Sequence, residues 1–270
     1  MTSLKTKNIC FLAAFLFLAI DPTLAEVVNE VKDCDQFLYQ GTPPEIPGIL
    51  EKGANKDQNR YKVICQTYNG VQRFLTVYDT TKKIPVFSAY EYRGSAGPRP
   101  DPTWMIEPQL DEKPTLDNIN MRPKGHTTCN NQAMNADYDG NGVYAKGHLF
   151  PVNHATTNDD KISTFTLTNA VPQVCGFNGG RWRVMETNIK NVMDQIINKN
   201  RCFVVVGAQP GTNNLNNRVN VPGVMWSAFY CDNGVSGAYW DDNIKRDHPP
   251  PMAMITVQQL ELDLGIDAFP

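Results

Sequence analysis

Apolar positions in this chain fall into short runs separated by turn-forming pairs, and few of the runs are long enough for helices. Residues 61–68 and 71–78 flank Asn69-Gly70, a dipeptide suited to the two-residue turn of a hairpin. The second arm (Val71, Arg73, Leu75, Val77 against Gln72, Phe74, Thr76) alternates only in part. A third strand is predicted from Ile84 to Tyr92. Residues 94–123 are rich in Pro, Gly and Asp and read as an ordered surface loop. Trp182 to Asn198 is the clearest helix, with Val184, Ile189, Val192, Met193 and Ile196 at helical spacing. Asn178 lies just before it in the Gly-rich turn Asn178-Gly179-Gly180. A helix N-terminus favours bound anions, so phosphate is expected to dock there. The continuous apolar run Phe203–Val206 predicts a buried strand. Val224–Tyr230 and Gly237–Trp240 flank Asn233-Gly234 as a second hairpin. Ala253–Thr256 reads as a short strand, and Thr256-Val257-Gln258-Gln259 as a capping box opening a last helix through Leu260, Leu262 and Leu264. Many strands with a few helices between them predict an α+β fold with a mostly antiparallel sheet.

The first 25 residues stand apart. Lys5 and Lys7 precede the apolar stretch 9–20, and Thr23-Leu24-Ala25 satisfies the small-x-small cleavage rule. They read as a signal peptide, followed by an N-terminal extension at 26–60 and a main domain at 61–270. No later segment approaches the roughly 18 unbroken apolar residues of a membrane helix, so no stable membrane association is expected. Secretion, or delivery to an endosomal or lysosomal lumen, follows from the signal. The net charge of −3 becomes −4 once Lys5, Lys7 and Asp21 are removed. A protein that holds nucleic acid by bulk attraction is basic, so any polyanion here must be held by a local cluster and a metal ion. Cys34, Cys65, Cys129, Cys175, Cys202 and Cys231 remain in the mature chain, enough for up to three disulfides. None has CxxC spacing, which disfavours a zinc site.

The polar residues that packing does not account for are His148, in Lys146-Gly147-His148, then Asn178 and Glu186. Mg²⁺ keeps most of its waters and takes one or two protein oxygens, so an amide oxygen with a nearby carboxylate is a sufficient anchor. A histidine near its natural pKa takes the proton of an attacking water. Each residue also has a plainer reading: His148 as a core histidine, Asn178 as an N-cap, Glu186 as a solvated charge. His126 sits in a second Lys-Gly-His at 124–126, so the tripeptide alone carries little weight. Asp137-x-Asp139-Gly140-Asn141 lacks the downstream glutamate of a calcium loop and reads as a turn.

The order of several motifs carries more: Asp137-Tyr138 with Gly140, Lys146-Gly147-His148, Thr168 through Gln173, and Asn178 through Trp182 to Glu186. Together they resemble the DNA/RNA non-specific endonucleases, the Serratia-type ββα-metal family, from about Tyr61 to the C-terminus. Within it the chain is most similar to the vertebrate endonuclease-domain-containing proteins of fish type, whose N-terminal region Cys34 through Pro44 resembles. The resemblance implies a ββα-metal nuclease fold, a central sheet flanked by helices, and Mg²⁺ (with Mn²⁺ able to substitute) used to hydrolyse DNA and RNA. It assigns His148 as general base, Asn178 as metal ligand and Glu186 as the carboxylate holding the metal's waters. It points to Arg99, then Arg93, as the phosphate-steadying arginine, and to Lys146 at a position where the family has arginine. Asn169 and Gln173 are expected to support substrate binding. The family commonly has aspartate where this chain has Ala145, a carboxylate expected near the histidine. That departure opens a second reading: a catalytically weakened nuclease-fold protein that binds a partner or nucleic acid.

Overall fold

The computed structural model describes residues 27–270, and the expected signal peptide lies outside the described residues. Strands β1 (Val27–Val28), β2 (Leu50–Glu51) and β3 (Ala54–Asn55) precede the predicted hairpin of β4 (Tyr61–Tyr68) and β5 (Val71–Asp79). Asn69 and Gly70 take φ of 53° and 71°, the left-handed pair that a tight hairpin needs. Next come β6 (Ile84–Tyr92), β7 (Met105–Ile106), β8 (Arg122–Pro123), β9 (Tyr144–His148), helix α1 (Asn158–Ser163) and β10 (Ala170–Val174). A single turn α2 (Cys175–Phe177) runs through a π turn (Asn178–Trp182) into α3 (Arg183–Asp194). The chain closes with β11 (Cys202–Leu215), β12 (Val219–Cys231), β13 (Ser236–Asp242) and α4 (Val257–Leu264).

Seven strands form one antiparallel sheet in the order β1-β4-β5-β6-β11-β12-β13. Both of its faces are covered. Val204 and Val206 pack with Tyr90, Phe229 and the α3 stripe Met185, Ile189 and Met193. Val205 points the other way, to Phe87, Trp226 and Leu260 of α4. Side chains alternate across a strand, so a strand buried on both sides must be apolar throughout, as Phe203–Val206 is. Each large apolar side chain so buried contributes about 1.5–3 kcal/mol. Cys34–Cys65 ties the N-terminal segment to β4, and Cys202–Cys231 joins directly paired residues of β11 and β12. Cys129 and Cys175 form no disulfide among the described residues, the first buried and the second exposed. There are thus two disulfides among the described residues, within the three that the cysteine count allows.

Several local expectations are corrected. Residues 94–123 are not all surface loop: Met105 through Leu110 are buried, and β7 pairs with β8. Only an isolated bridge, Ala238 to Ile255, forms where 253–256 suggested a strand. The capping box of α4 is half made. Thr256 Oγ1 accepts from Gln259 N–H, but the Gln259 amide turns to Asp263. The β11–β12 hairpin is much longer than the apolar run, because its outer half is a polar ribbon turning at Asn216 and Asn217, both at positive φ. No helix among the described residues is long and apolar enough to cross a membrane.

Candidate active site

Strands β9 and β10 pair antiparallel in a register that sets His148 against Ala170, Gly147 against Val171, Lys146 against Pro172 and Ala145 against Gln173. With α2–α3 they make a ββα unit packed on the main sheet. Alternation along β9 puts Lys146 and His148 on one face and Ala145 and Gly147 on the other. The first face is an aromatic box. The His148 ring lies 4.9 Å from both Trp104 and Phe165. Lys146 Nζ sits 5.6 Å over Trp104 and 5.4 Å over Tyr138. On the second face a Cβ at position 147 would lie 2.1 Å from Gln173 Oε1, so only glycine fits beneath that side chain.

His148 is 7% exposed, and its buried Nε2 has no partner. Burial first, and then the nearby Arg99 charge, push its pKa down to about 3. It is therefore not the near-normal histidine expected from sequence, though it is neutral at pH 7. Arg99 stacks 5.0 Å over Phe165, the ring that also contacts His148. The same guanidinium acts on Glu186, whose carboxyl is pushed up to about 8, mainly by burial. Part of Glu186 reaches solvent, but packing around the carboxyl opposes its ionisation. The Trp182 indole attracts that carboxyl without forming a hydrogen bond of good geometry. His148, Arg99 and Glu186 thus converge from β9, the 94–104 segment and α3.

Asn178, half-exposed, opens the π turn. It precedes α3, as the sequence suggested, but the Gly-rich turn it opens is itself helical and is entered from α2. The first turn of α3 therefore has no free N-terminus for phosphate, and Asn178 is not its N-cap. Eight residues along a regular helix leave Asn178 and Glu186 about 80° apart in facing, at roughly 100° per residue. The π turn interrupts that regular winding, and such bulges recur at functional sites. Gly180, at φ −99° and ψ −116°, kinks the segment.

The other candidates separate. Arg93 is paired with Glu91 at 2.7 Å on the surface and shares no contact with the aromatic box. Asn169 is fully buried and fully used. It accepts from Ser88 Oγ and Phe150 N–H and donates to the carbonyls of Phe150 and Thr164, which pins the loop after His148. Gln173 is also buried, yet neither of its amide atoms has a partner. Lys146, with its pKa lowered by burial, is held between two rings. Ala145 does not neighbour the imidazole: it lies on the opposite face, paired with Gln173. Sequence reasoning missed Trp104 and Phe165, which lie in segments without periodicity, and His154.

No group of three or more His, Cys, Asp or Glu gathers as a metal centre among the described residues. The residues present fit a hard cation with few protein ligands nonetheless. Asn178 offers a neutral amide oxygen in a kinked turn, and Glu186 is a carboxyl whose ionisation needs a compensating positive charge.

Residues 55–249 match the DNA/RNA non-specific endonuclease family. The human endonuclease domain-containing 1 protein is 32% identical over 224 residues, and the mouse protein is 30% identical over 218. Each match covers 77% of this chain but only 40% of the relative, so the chain spans less than half of their length. A chain of the EndoG/EndoGI complex, solved to explain EndoG inhibition, superposes with a TM-score of 0.52 at 17% identity, over 76% of this chain and 84% of that one. It shares the fold, a ββα-metal nuclease architecture. The ββα unit, the ordered motifs and the matched span together place this chain in the DNA/RNA non-specific endonuclease family.

Proposed function

We propose that the protein is a secreted, Mg²⁺-dependent endonuclease that hydrolyses phosphodiester bonds in DNA and RNA with little sequence specificity. One observation carries the reading: Arg99 stacks 5.0 Å over the Phe165 ring that packs 4.9 Å from His148, with its charge also felt at Glu186. This grouping supports His148 as base, Arg99 as the phosphate-binding cation and Glu186 as the carboxylate. Mg²⁺, held at Asn178 with its waters on Glu186, would supply charge stabilisation to the phosphate oxygens and the leaving group. His148, neutral at pH 7, takes the proton of the attacking water. Burial first, and then the Arg99 charge beside it, keep its basicity low. A phosphate that pairs with Arg99 removes part of that repulsion and raises it. Contacts to backbone phosphates position substrate without reading bases, which fits low specificity. The two disulfides and the signal-like first 25 residues support an oxidising compartment.

Purified mature protein should nick supercoiled plasmid and cut RNA with Mg²⁺ or Mn²⁺ and stop in EDTA; absence of cutting under every metal condition rejects the reading. The alternative, a weakened nuclease-fold protein that binds a partner or nucleic acid, is favoured by Ala145 and the unpartnered amide of Gln173 across from it. Tight DNA binding without cutting would select it.

A further inference from the structure

His154 follows the catalytic strand by six residues and is 2% exposed. It lies in a short 3₁₀ turn, Val152–His154, packed against α3. Its two ring nitrogens have different partners: Nδ1 is 2.7 Å from Tyr90 Oη, and Nε2 is 2.8 Å from the backbone carbonyl oxygen of Glu186. A carbonyl only accepts. Nε2 must therefore carry the proton and donate it, which leaves Nδ1 to accept from the Tyr90 hydroxyl. Burial holds the ring neutral, with its pKa pushed down to about 4. Tyr90 belongs to β6 in the middle of the sheet, where its ring stacks on Phe150 at 3.9 Å. The chain of bonds thus runs from the sheet core to the backbone of one residue of α3, and that residue is Glu186. About two helical turns further on, Tyr92 Oη donates to Asp194 Oδ1 at 2.5 Å, a second tie between β6 and α3.

We propose that His154 is a positioning residue for the metal site: as the Nε2–H tautomer fixed by Tyr90, it sets the height and rotation of α3 at Glu186 and so aims the carboxylate at the cation. The proposal rests on the nuclease reading above. Among the described residues, this is the hydrogen bond that ties the Glu186 backbone back to the sheet. Groups that orient a metal-site carboxylate are worth about 10- to 100-fold in metal affinity when lost.

The test is Mn²⁺ binding by electron paramagnetic resonance on the full mature protein without nucleic acid, alongside plasmid nicking as a function of Mn²⁺. His154→Phe alone leaves the Tyr90 hydroxyl buried and unpaired, so the decisive variant is His154→Phe with Tyr90→Phe, which removes both polar partners and is expected to fold. Thermal melting confirms that it does. The expected result is Mn²⁺ affinity weakened about 10- to 100-fold, with a matching rise in half-saturating Mn²⁺ and a smaller change in kcat at saturation. His154→Gln, whose amide can still donate to the Glu186 carbonyl, should recover most of the affinity. A folded double variant with wild-type Mn²⁺ affinity overturns the positioning role. Wild-type protein that binds no Mn²⁺, or binds it unchanged after Asn178→Ala, overturns the metal reading itself and the inference with it.

Discussion

The side chain of Gln173 fills the space where a Cβ on Gly147 would stand, with Oε1 2.1 Å from that position. The glycine between Lys146 and His148 is thus a packing requirement of the β9–β10 pair. Gly147→Ala must push Gln173 or the strand aside. A loss of about 1–3 kcal/mol or more is expected, read as a lower denaturant midpoint, together with a drop in cleavage as His148 shifts. A fully stable, fully active Gly147→Ala would contradict the geometry.

Ala145 is the cross-strand partner of Gln173, and such pairs sit on one face with Cβ atoms about 4.5–5.5 Å apart. Gln173 is buried with both amide atoms unpartnered. An aspartate at 145 would give its N–H an acceptor, and a hydrogen bond to a charged group is worth about 1.5–3 kcal/mol. Ala145→Asp should raise cleavage without lowering stability, and the gain should vanish when Gln173→Leu is added. If the gain survives Gln173→Leu, the aspartate works by another route.

His148→Ala should lower cleavage by about 10²–10⁴-fold, the usual worth of a general base. In the free protein the His148 ring should stay neutral on acidification down to about pH 3, as followed by its NMR ring signals. Its folded pKa lies below the ordinary 6.5, so the stability it contributes is full above 6.5 and is lost as pH falls towards 3. Adding a nucleotide should raise the value by neutralising Arg99. A ring that titrates near 6.5 in the free protein would mean that the aromatic box is open to water.

Glu107 is wholly buried. Its Oε1 accepts from Thr166 and Thr168, while Oε2 has no partner. Burial pushes its pKa up to about 8. A carboxyl raised this way contributes stability fully below its ordinary 4.5, and that stability is lost as pH rises through about 8. Melting temperature should therefore fall between pH 5 and 8. Glu107→Gln should flatten that slope and leave the protein more stable at pH 8, by an amount on the order of a few kcal/mol. An unchanged slope in Glu107→Gln assigns the pH dependence elsewhere.

Thiol counting checks the cysteine assignment. Native mature protein should react with maleimide at Cys175 alone, and denatured, unreduced protein at Cys129 as well. No reactive thiol after denaturation would show that a third disulfide joins these two.

The sequence by itself determined the elements whose causes are local. Asn69-Gly70 can turn in only a few ways, Phe203–Val206 suits only a strand covered on both faces, and the α3 stripe repeats at 3.6 residues. The ordered motifs around His148, Asn178 and Glu186 were legible because they follow the order of the family whose model matches residues 55–249. What depends on contacts between distant segments could not be read. The 94–123 stretch has no periodicity, yet it delivers Trp104 and Arg99 to His148 and buries Glu107. Asn178 was expected in a turn before a helix, because glycines hide a π turn held by the packing of Phe177 and Trp182. Arg99 rather than Arg93 reaches the site because Glu91 holds Arg93 on the surface. His154 lies in a segment with no motif at all, and only the sheet and α3 together give its two nitrogens their partners. Strand alternation put Ala145 beside Gln173 rather than beside the histidine it precedes by three residues. Local propensity sets which elements form. Which side chains meet is set by burial and register across the whole fold.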